Sequence, residues 1–242
     1  PRARIPRRMG DLMRRVFLTI LAALLVGAPA AAQTHNTLNA AEREAGWELL
    51  FDGQTLDGWR RYDGEPMTDG WAVEGGMLTH TSGGRDIITD DAYTDFELSL
   101  EWMVEAGGNS GVFYRAALGE EWVYHSAPEM QVLDDAAHRD GQNPLTSAGS
   151  NYGLYPAPRG IVNGAGEWNS AKIVVRGSAV EHWLNGTKIV AYEFGSAGWS
   201  ELVANSKFNE WPAYGQADRG HIGFQDHGNR VWYRNVKIRD LR

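Results

Sequence analysis

Polar residues that could move protons or hold sugar hydroxyls alternate with apolar ones along residues 129–134, Glu-Met-Gln-Val-Leu-Asp. The period of two places Glu129 and Gln131 on one face of a strand and Met130 on the other. We expect the apolar face to pack in a core and the polar face to line a groove that an oligosaccharide could occupy. Asp134 would rejoin the polar face only across a β-bulge. The alternative is a solvated strand face without a function.

Gln131 bears on which chemistry this strand could carry. An ordinary retaining glycosidase needs two carboxyl groups about 5–5.5 Å apart. A glutamine occupies the position between Glu129 and Leu133 where a second carboxylate would be expected, so the sequence disfavours that class.

A second polar face is predicted near the C-terminal end, in Gly-His-Ile-Gly-Phe-Gln-Asp-His-Gly at 220–228. Alternation puts His221, Gln225 and His227 on one side of a strand. Histidine transfers protons near neutral pH and is a common metal ligand. Gln225 and His227 could therefore hold sugar hydroxyls or a divalent ion. A structural zinc site is not expected, because the chain has no cysteine and no helical pair of histidines.

The segment 109–115, Asn-Ser-Gly-Val-Phe-Tyr-Arg, is typical of a turn that enters a strand. Arg115 could donate paired hydrogen bonds to sugar hydroxyls or to a carboxylate. The alternative is a turn followed by a structural ion pair. Aromatic side chains, whose faces can pack against sugar rings, lie in or beside the irregular stretches: Tyr152, Tyr155, Trp168, Trp183, Trp199 and Trp211.

Short strands and tight turns must position these residues. Asn185-Gly186 and Gly75-Gly76 predict β-hairpins, and 95–105 alternates as a strand with one buried face. Further strands are predicted at 110–115, 129–133, 170–176, 180–184, 187–193, 221–225 and 231–238. Long polar stretches at 134–167 and 195–214 predict irregular structure, and 34–45 predicts a short helix or a loose arm. Such a pattern indicates an all-β sandwich or jelly roll.

The N-terminal residues predict export. Arg14 and Arg15 precede an apolar run over 16–26, and small residues ending in Ala32 follow. This pattern is typical of a secretory signal peptide, which together with upstream residues would occupy 1–32. The run is shorter than the ~20 apolar residues that span a bilayer, so we expect no membrane insertion after cleavage. An uncleaved anchor is the alternative; the predicted location is periplasmic or extracellular.

Charge and composition limit the classes of molecule that the protein could bind. Residues 33–242 contain 17 basic and 30 acidic side chains. A surface so acidic repels nucleic acid and anionic lipid, whereas a neutral sugar is unaffected. Without cysteine, an exported chain must be stabilised by its core alone.

Several motifs, taken in order, resemble those of the 3-keto-disaccharide hydrolase family, formerly a family of unknown function. They are Trp-Glu-Leu-Leu-Phe-Asp-Gly at 47–53, Leu-Asp-Gly-Trp at 56–59, the 109–115 and 129–134 segments, Gly-Glu-Trp-Asn at 166–169, Leu-Asn-Gly at 184–186 and the 220–228 segment. The resemblance covers nearly all of 46–242, which is the predicted domain.

The resemblance implies a concanavalin-like β-sandwich jelly roll of two antiparallel sheets. It also implies cleavage of 3-keto-glycosides or 3-keto-disaccharides by removal of the C2 proton and elimination or hydrolysis at C1. Glu129, His227 and Arg115 are the implied catalytic residues, with Glu129 or His227 as base or as ligand of a possible divalent metal ion. The implied substrate-binding residues are Asn109, Gln131, Asp134, His138, Tyr155, Trp183 and Gln225.

One alternative function stays open at this point. A non-catalytic carbohydrate-binding module can have the same sandwich fold, because fold alone does not determine function. A shared pocket around Glu129 and His227 would favour an enzyme, whereas a flat aromatic platform would favour a binding module.

Overall fold

The fold is that of a computed structural model, which describes residues 35–242; the predicted signal peptide lies outside the described residues. Two α-helices, α1 (Ala40–Glu44) and α2 (Ala197–Ala204), accompany three 3-10 helices, Val123–His125, Arg139–Gln142 and Lys207–Glu210. The strands are β1 (Trp47–Leu49), β2 (Trp59–Arg61), β3 (Trp71–Glu74), β4 (Met77–His80), β5 (Ile87–Tyr93), β6 (Phe96–Val104), β7 (Asn109–Ala116), β8 (Glu129–Leu133), β9 (Asn169–Arg176), β10 (Ala179–Leu184), β11 (Thr187–Glu193), β12 (Gly220–Phe224) and β13 (Val231–Asp240).

The strands form two antiparallel sheets. The larger sheet has the order β11-β10-β9-β6-β13-β4-β3, with β1 paired to β13, and the smaller has the order β2-β5-β12-β7-β8. The prediction of an all-β, concanavalin-like sandwich jelly roll is thereby confirmed. None of the helices within 35–242 combines the length and apolar character needed to cross a bilayer.

Alternating side chains build the core between the sheets. β6 buries every second residue, from Phe96 to Val104, and leaves the intervening ones half-buried. Tyr114 and Met130 face the same interior from the smaller sheet. A second, smaller apolar cluster around Phe113 and Val123 covers part of the smaller sheet's other face, and this is the face on which the polar residues of β7 and β8 emerge.

Turn residues set the hairpins as predicted. Asn185 and Gly186 have φ values of 48° and 79°, the left-handed pair of a two-residue hairpin loop. In the stretch 195–214 the sequence predicted no helix, yet α2 begins after Ser196, whose side chain accepts the Trp199 N–H. The short helix at the N-terminal side is present as α1, with Asn39 and Glu42 forming a capping box.

Tryptophans on or beside the outer face of the larger sheet lie under cationic side chains. The pairs, with the distance from cation to ring centroid, are Trp47–Arg239 (5.2 Å), Trp168–Arg234 (3.8 Å), Trp183–Lys172 (4.5 Å) and Trp232–Arg230 (5.3 Å). Each of these cations also forms an ion pair with a glutamate. These rings are therefore engaged by protein groups and do not form a bare aromatic platform.

Candidate active site

A pocket of about 190 Å³ opens on the outer face of the smaller sheet. We call it the Glu129 pocket. Its lining residues come from β7, β8, the end of β12 and the loops that cover them: Asn109, Tyr124, Ala127, Glu129, Gln131, Tyr152, Lys207, Phe208, Gln225 and His227.

Strand register orders the polar groups along the pocket. Gly111 lies opposite Gln131, and Gln225 donates its backbone N–H to the Gly111 carbonyl, 3.0 Å away. Glu129 is one pleat further along β8, opposite Phe113, on the side of Lys207 and Tyr124. Asn109 is one pleat in the other direction, on the side of His227. Glu129 thus lies toward the lysine end of the pocket, and Asn109 and His227 form its histidine end.

Glu129 is buried, with 6% of its surface exposed, and its carboxyl lies above Gly111. With the Gln131 amide oriented for donation, Nε2 donates to Glu129 Oε1 at 3.1 Å and to the Ser110 carbonyl at 2.9 Å. Burial raises the pKa of Glu129 to about 8; Lys207 opposes the shift, and the charges of Asp86 and Asp140 add to it. At neutral pH this carboxyl is poised to exchange a proton.

Lys207 supplies a positive charge at one end of the pocket. It begins the 3-10 helix Lys207–Glu210, and its Nζ lies 4.5 Å from the ring centroid of Tyr152 and 5.7 Å from that of Tyr124. Partial burial lowers the pKa of Lys207, while Glu129 and Asp140 act in the opposite direction. An ammonium held over aromatic faces near a buried acid can donate a proton to a substrate oxygen.

The other end of the pocket offers hydrogen-bonding groups. Asn109 Oδ1 and Gln225 Oε1 are buried and have no hydrogen-bond partner within 35–242. Buried polar atoms without a partner are costly, and sugar hydroxyls would satisfy them. His227 is exposed at the mouth, 6.2 Å between ring centroids from His138.

A buried acidic group behind the pocket holds the segment that carries Gln225 and His227. Asp86 accepts the backbone N–H of Asp226 at 2.8 Å. Asp226 in turn pairs with His80 at 3.0 Å and accepts the Arg85 N–H at 2.9 Å. Burial and the Asp226 charge raise the pKa of Asp86 to about 7, although the hydrogen bond from Asp226 N–H opposes this. The link between β5 and β12 therefore sets where the two pocket residues point.

Five residues predicted from sequence line the pocket: Glu129, Gln131, Asn109, Gln225 and His227. His138 does not line it but lies beside His227, and its Nδ1 accepts the Asp140 N–H at 3.1 Å. The structure thus brings Gln225 and His227 together with the polar face of β8. His221, predicted on the same face as Gln225, lies outside the pocket, with its Nδ1 2.8 Å from the Thr89 carbonyl oxygen.

Arg115 is not in the pocket. It has a left-handed φ of 52°, at a bulge where β7 shifts register against β12. Its Nη2 donates to the Thr94 and Gly177 carbonyls at 3.1 and 2.8 Å, near Asp95. The alternative of a structural arginine describes these contacts, and they do not support a catalytic role.

Three other predicted binding residues also lie elsewhere. Asp134 follows β8 and accepts the N–H groups of Gly107 and Ala136. The Tyr155 ring stacks on Tyr192, with centroids 4.8 Å apart. Trp183 is on the larger sheet and donates to Glu181 at 2.8 Å.

Sequence reasoning missed Lys207, Tyr124 and Phe208, and it named Tyr152 only among the aromatic residues of irregular stretches. The available signal was the polar and aromatic composition of 195–214. Composition does not tell which of these side chains folds back over the smaller sheet.

The Glu129 pocket contains possible metal ligands. Within 35–242 no group of three or more His, Cys, Asp or Glu side chains is placed to hold a metal ion. Glu129, His227 and the unpartnered amide oxygens of Asn109 and Gln225 are ligand types that divalent cations accept. Their assignment as metal ligands stays a prediction.

The chain is similar in sequence to a domain family and to a curated protein. Residues 46–239 match the model of the 3-keto-alpha-glucoside-1,2-lyase-like domain. A curated relative, the 3-keto-disaccharide hydrolase of Bacteroides thetaiotaomicron, is 33% identical, and the match covers 87% of this chain and 87% of the relative.

Solved structures of Parabacteroides distasonis proteins proposed as glycosyl hydrolases are also similar. One is 34% identical with a TM-score of 0.80, covering 86% of this chain and 100% of that one. Another is 30% identical with a TM-score of 0.63, covering 81% and 99%.

Proposed function

Because the chain belongs to the 3-keto-alpha-glucoside-1,2-lyase-like domain family, we propose that it is an enzyme that cleaves glycosides whose sugar carries a ketone at C3. The observation that carries the proposal is a buried carboxyl, Glu129, that lines one pocket together with Lys207 and His227. The names of the similar proteins, a 3-keto-disaccharide hydrolase and proposed glycosyl hydrolases, support the same substrate class.

The chemistry requires a base at C2. A ketone at C3 acidifies the C2 proton, and removing that proton gives an enolate. The enolate expels the C1 substituent as an alcohol and leaves a double bond between C1 and C2. Adding water across that bond, with hydroxyl to C1 and a proton to C2, gives net hydrolysis. The route needs no second carboxylate, in agreement with Gln131.

A 3-keto ring can be placed in the pocket with C2 at Glu129, C3 toward Gln225 and His227, and C1 toward Lys207. Glu129 then removes the C2 proton. Gln225 and His227 donate to the ketone oxygen as it becomes an enolate. Lys207 protonates the departing oxygen at C1.

A non-catalytic binding module has less support. Its expected feature is an open aromatic platform. The tryptophans on the outer face of the larger sheet, such as Trp168 and Trp183, instead lie under ion-paired cations. Export of the chain is likewise a proposal, which depends on the leader-like sequence at 1–32.

The test is incubation with a 3-keto-disaccharide and with its unoxidised parent, with and without a chelator. We expect sugar release only from the oxidised substrate. In D₂O, deuterium should enter C2 of the 3-keto-sugar with the native protein and not with Glu129→Gln. Trp232→Leu, in β13 of the larger sheet, is the control and should behave like the native protein. Affinity for both sugars without turnover of either would contradict the proposal and favour a binding module.

A further inference from the structure

Aromatic side chains continue from the lysine end of the Glu129 pocket onto the protein surface. Tyr124 lines the pocket, and the ring of Trp122 runs nearly parallel to it, at 18° with centroids 6.4 Å apart. Trp211 meets Tyr124 edge to face, at 79° and 5.2 Å. All three residues are half-buried. We call Trp122, Tyr124 and Trp211 the aromatic ledge.

Protein contacts hold the rings of the ledge in place. The guanidinium of Arg85 lies 4.0 Å from the centroid of Trp122. Trp211 stacks on the buried ring of His125 at 4.4 Å and 16°. Rings fixed in this way lose little conformational entropy when a ligand binds, which favours binding.

The pocket is too small for a whole disaccharide. Its volume is about 190 Å³, whereas pockets that enclose drug-sized ligands measure about 300–1,000 Å³. A substrate of two sugar rings must therefore place one of them outside. Tyr124, which lines the pocket together with Lys207, connects the pocket to Trp122 and Trp211.

We propose that the aromatic ledge is a second subsite, which binds the leaving group of the substrate when that group is a sugar ring with an apolar C–H face. The inference rests on the proposed function and deepens it. The 3-keto ring lies over Glu129, the C1 oxygen lies at Lys207, and the departing ring packs against Trp122 and Trp211.

The experiment compares two substrates in each variant: a 3-keto-disaccharide and the methyl 3-keto-glucoside, which has no second ring. For Trp122→Leu and Trp211→Leu we expect the KM of the disaccharide to rise about three- to tenfold, with the KM of the methyl glycoside unchanged. The ratio of the two constants within one variant does not depend on how much of the protein is folded. Trp232→Leu, in β13 of the larger sheet, is the matched control and should leave both constants unchanged.

Two results would overturn the subsite. One is an equal rise of KM for both substrates, which would indicate damage to the pocket itself. The other is no rise for the disaccharide. Failure of the proposed function is distinguishable from either, because the native protein would then turn over neither substrate.

Discussion

Gly111 and Glu129 occupy neighbouring strands, and the glutamate carboxyl fills the space that a side chain at Gly111 would need. A β-carbon built on Gly111 would overlap Glu129 Oε1. The backbone of Gly111 does not have a positive φ, so only lack of space excludes alanine there. The glycine is the floor of the candidate active site.

Gly111→Ala should therefore displace the carboxyl without straining the strand. We expect kcat for a 3-keto-disaccharide to fall at least about tenfold, because small misplacements of a catalytic group are costly. Steady-state kinetics would measure this. Gly198→Ala, where a β-carbon has nothing within 4 Å, is the matched control and should keep native activity. Equal kinetics for the two variants would contradict the placement of Glu129.

The pH dependence of kcat/KM should show the ionisation of the two groups that act at C2 and C1, Glu129 and Lys207. Glu129 acts as a base only when ionised, and its pKa is about 8, so the rate should rise with pH through that value. Lys207 acts as an acid only when protonated. Its pKa lies below the ordinary 10.5, so the rate should fall again before that pH. A rate that is flat between about pH 6 and 9 would remove Glu129 as the base.

The free energy of unfolding should depend on pH because the Glu129 carboxyl is buried. Between pH 4.5 and about 8 the folded state keeps a proton on Glu129 that the unfolded state has released. Stability therefore falls as pH rises through this window. Glu129→Gln removes the titrating group, so the variant should gain stability relative to the native protein at about pH 8 and much less at about pH 4. Urea unfolding at both values measures this; an equal difference at both would contradict it.

Lys207 can be tested with leaving groups of different basicity. Lys207→Met removes the acid, and Lys207→Arg keeps the charge on a group that does not release its proton. Both should lower kcat for a 3-keto-disaccharide about a hundredfold. Both should affect a 4-nitrophenyl 3-keto-glucoside far less, since nitrophenolate leaves without a proton. Lys172→Met, on the larger sheet, is the control. Equal losses on both substrates would assign Lys207 to another step.

Asp86 should act by positioning Gln225 and His227. Asp86→Ala leaves the Asp226 N–H without its acceptor and should cost about 1–3 kcal/mol of unfolding free energy. The same variant should raise the KM for the substrate. Asp86→Asn keeps an oxygen acceptor and should restore both values, as thermal unfolding and kinetics would show. An asparagine variant as impaired as the alanine variant would indicate that the charge matters instead.

Alternation of polar and apolar residues predicted much of the fold and several of the residues that line the pocket. The alternation in β6, β8 and residues 220–228 predicted both which residues form strands and which face is polar. Four of those polar residues, Glu129, Gln131, Gln225 and His227, line one pocket with Asn109. The family resemblance is confirmed by the match over 46–239. Alternation works here because one face of each strand must be buried, so register is strongly constrained.

Local pattern failed where long-range structure decides. By alternation, Arg115 should lie on the polar face of β7. A bulge with a left-handed φ at Arg115 instead directs its side chain to the adjacent turns. Trp183 and Tyr155 are aromatic residues near irregular stretches, which does not reveal what their rings contact. Lys207 lines the same pocket as Glu129 only because a segment far along the chain folds over the smaller sheet. The residues of that segment alone do not predict this placement.

The placement of β13 has a consequence for how the molecule forms. This strand lies between β6 and β4 in the larger sheet and also pairs with β1, although it follows all of them in the chain. Loop closure over such a separation is entropically unfavourable and slow. The sandwich therefore cannot assemble progressively during synthesis. Its nascent chain must stay open, with apolar strands uncovered, until the strand that completes the sheet is available.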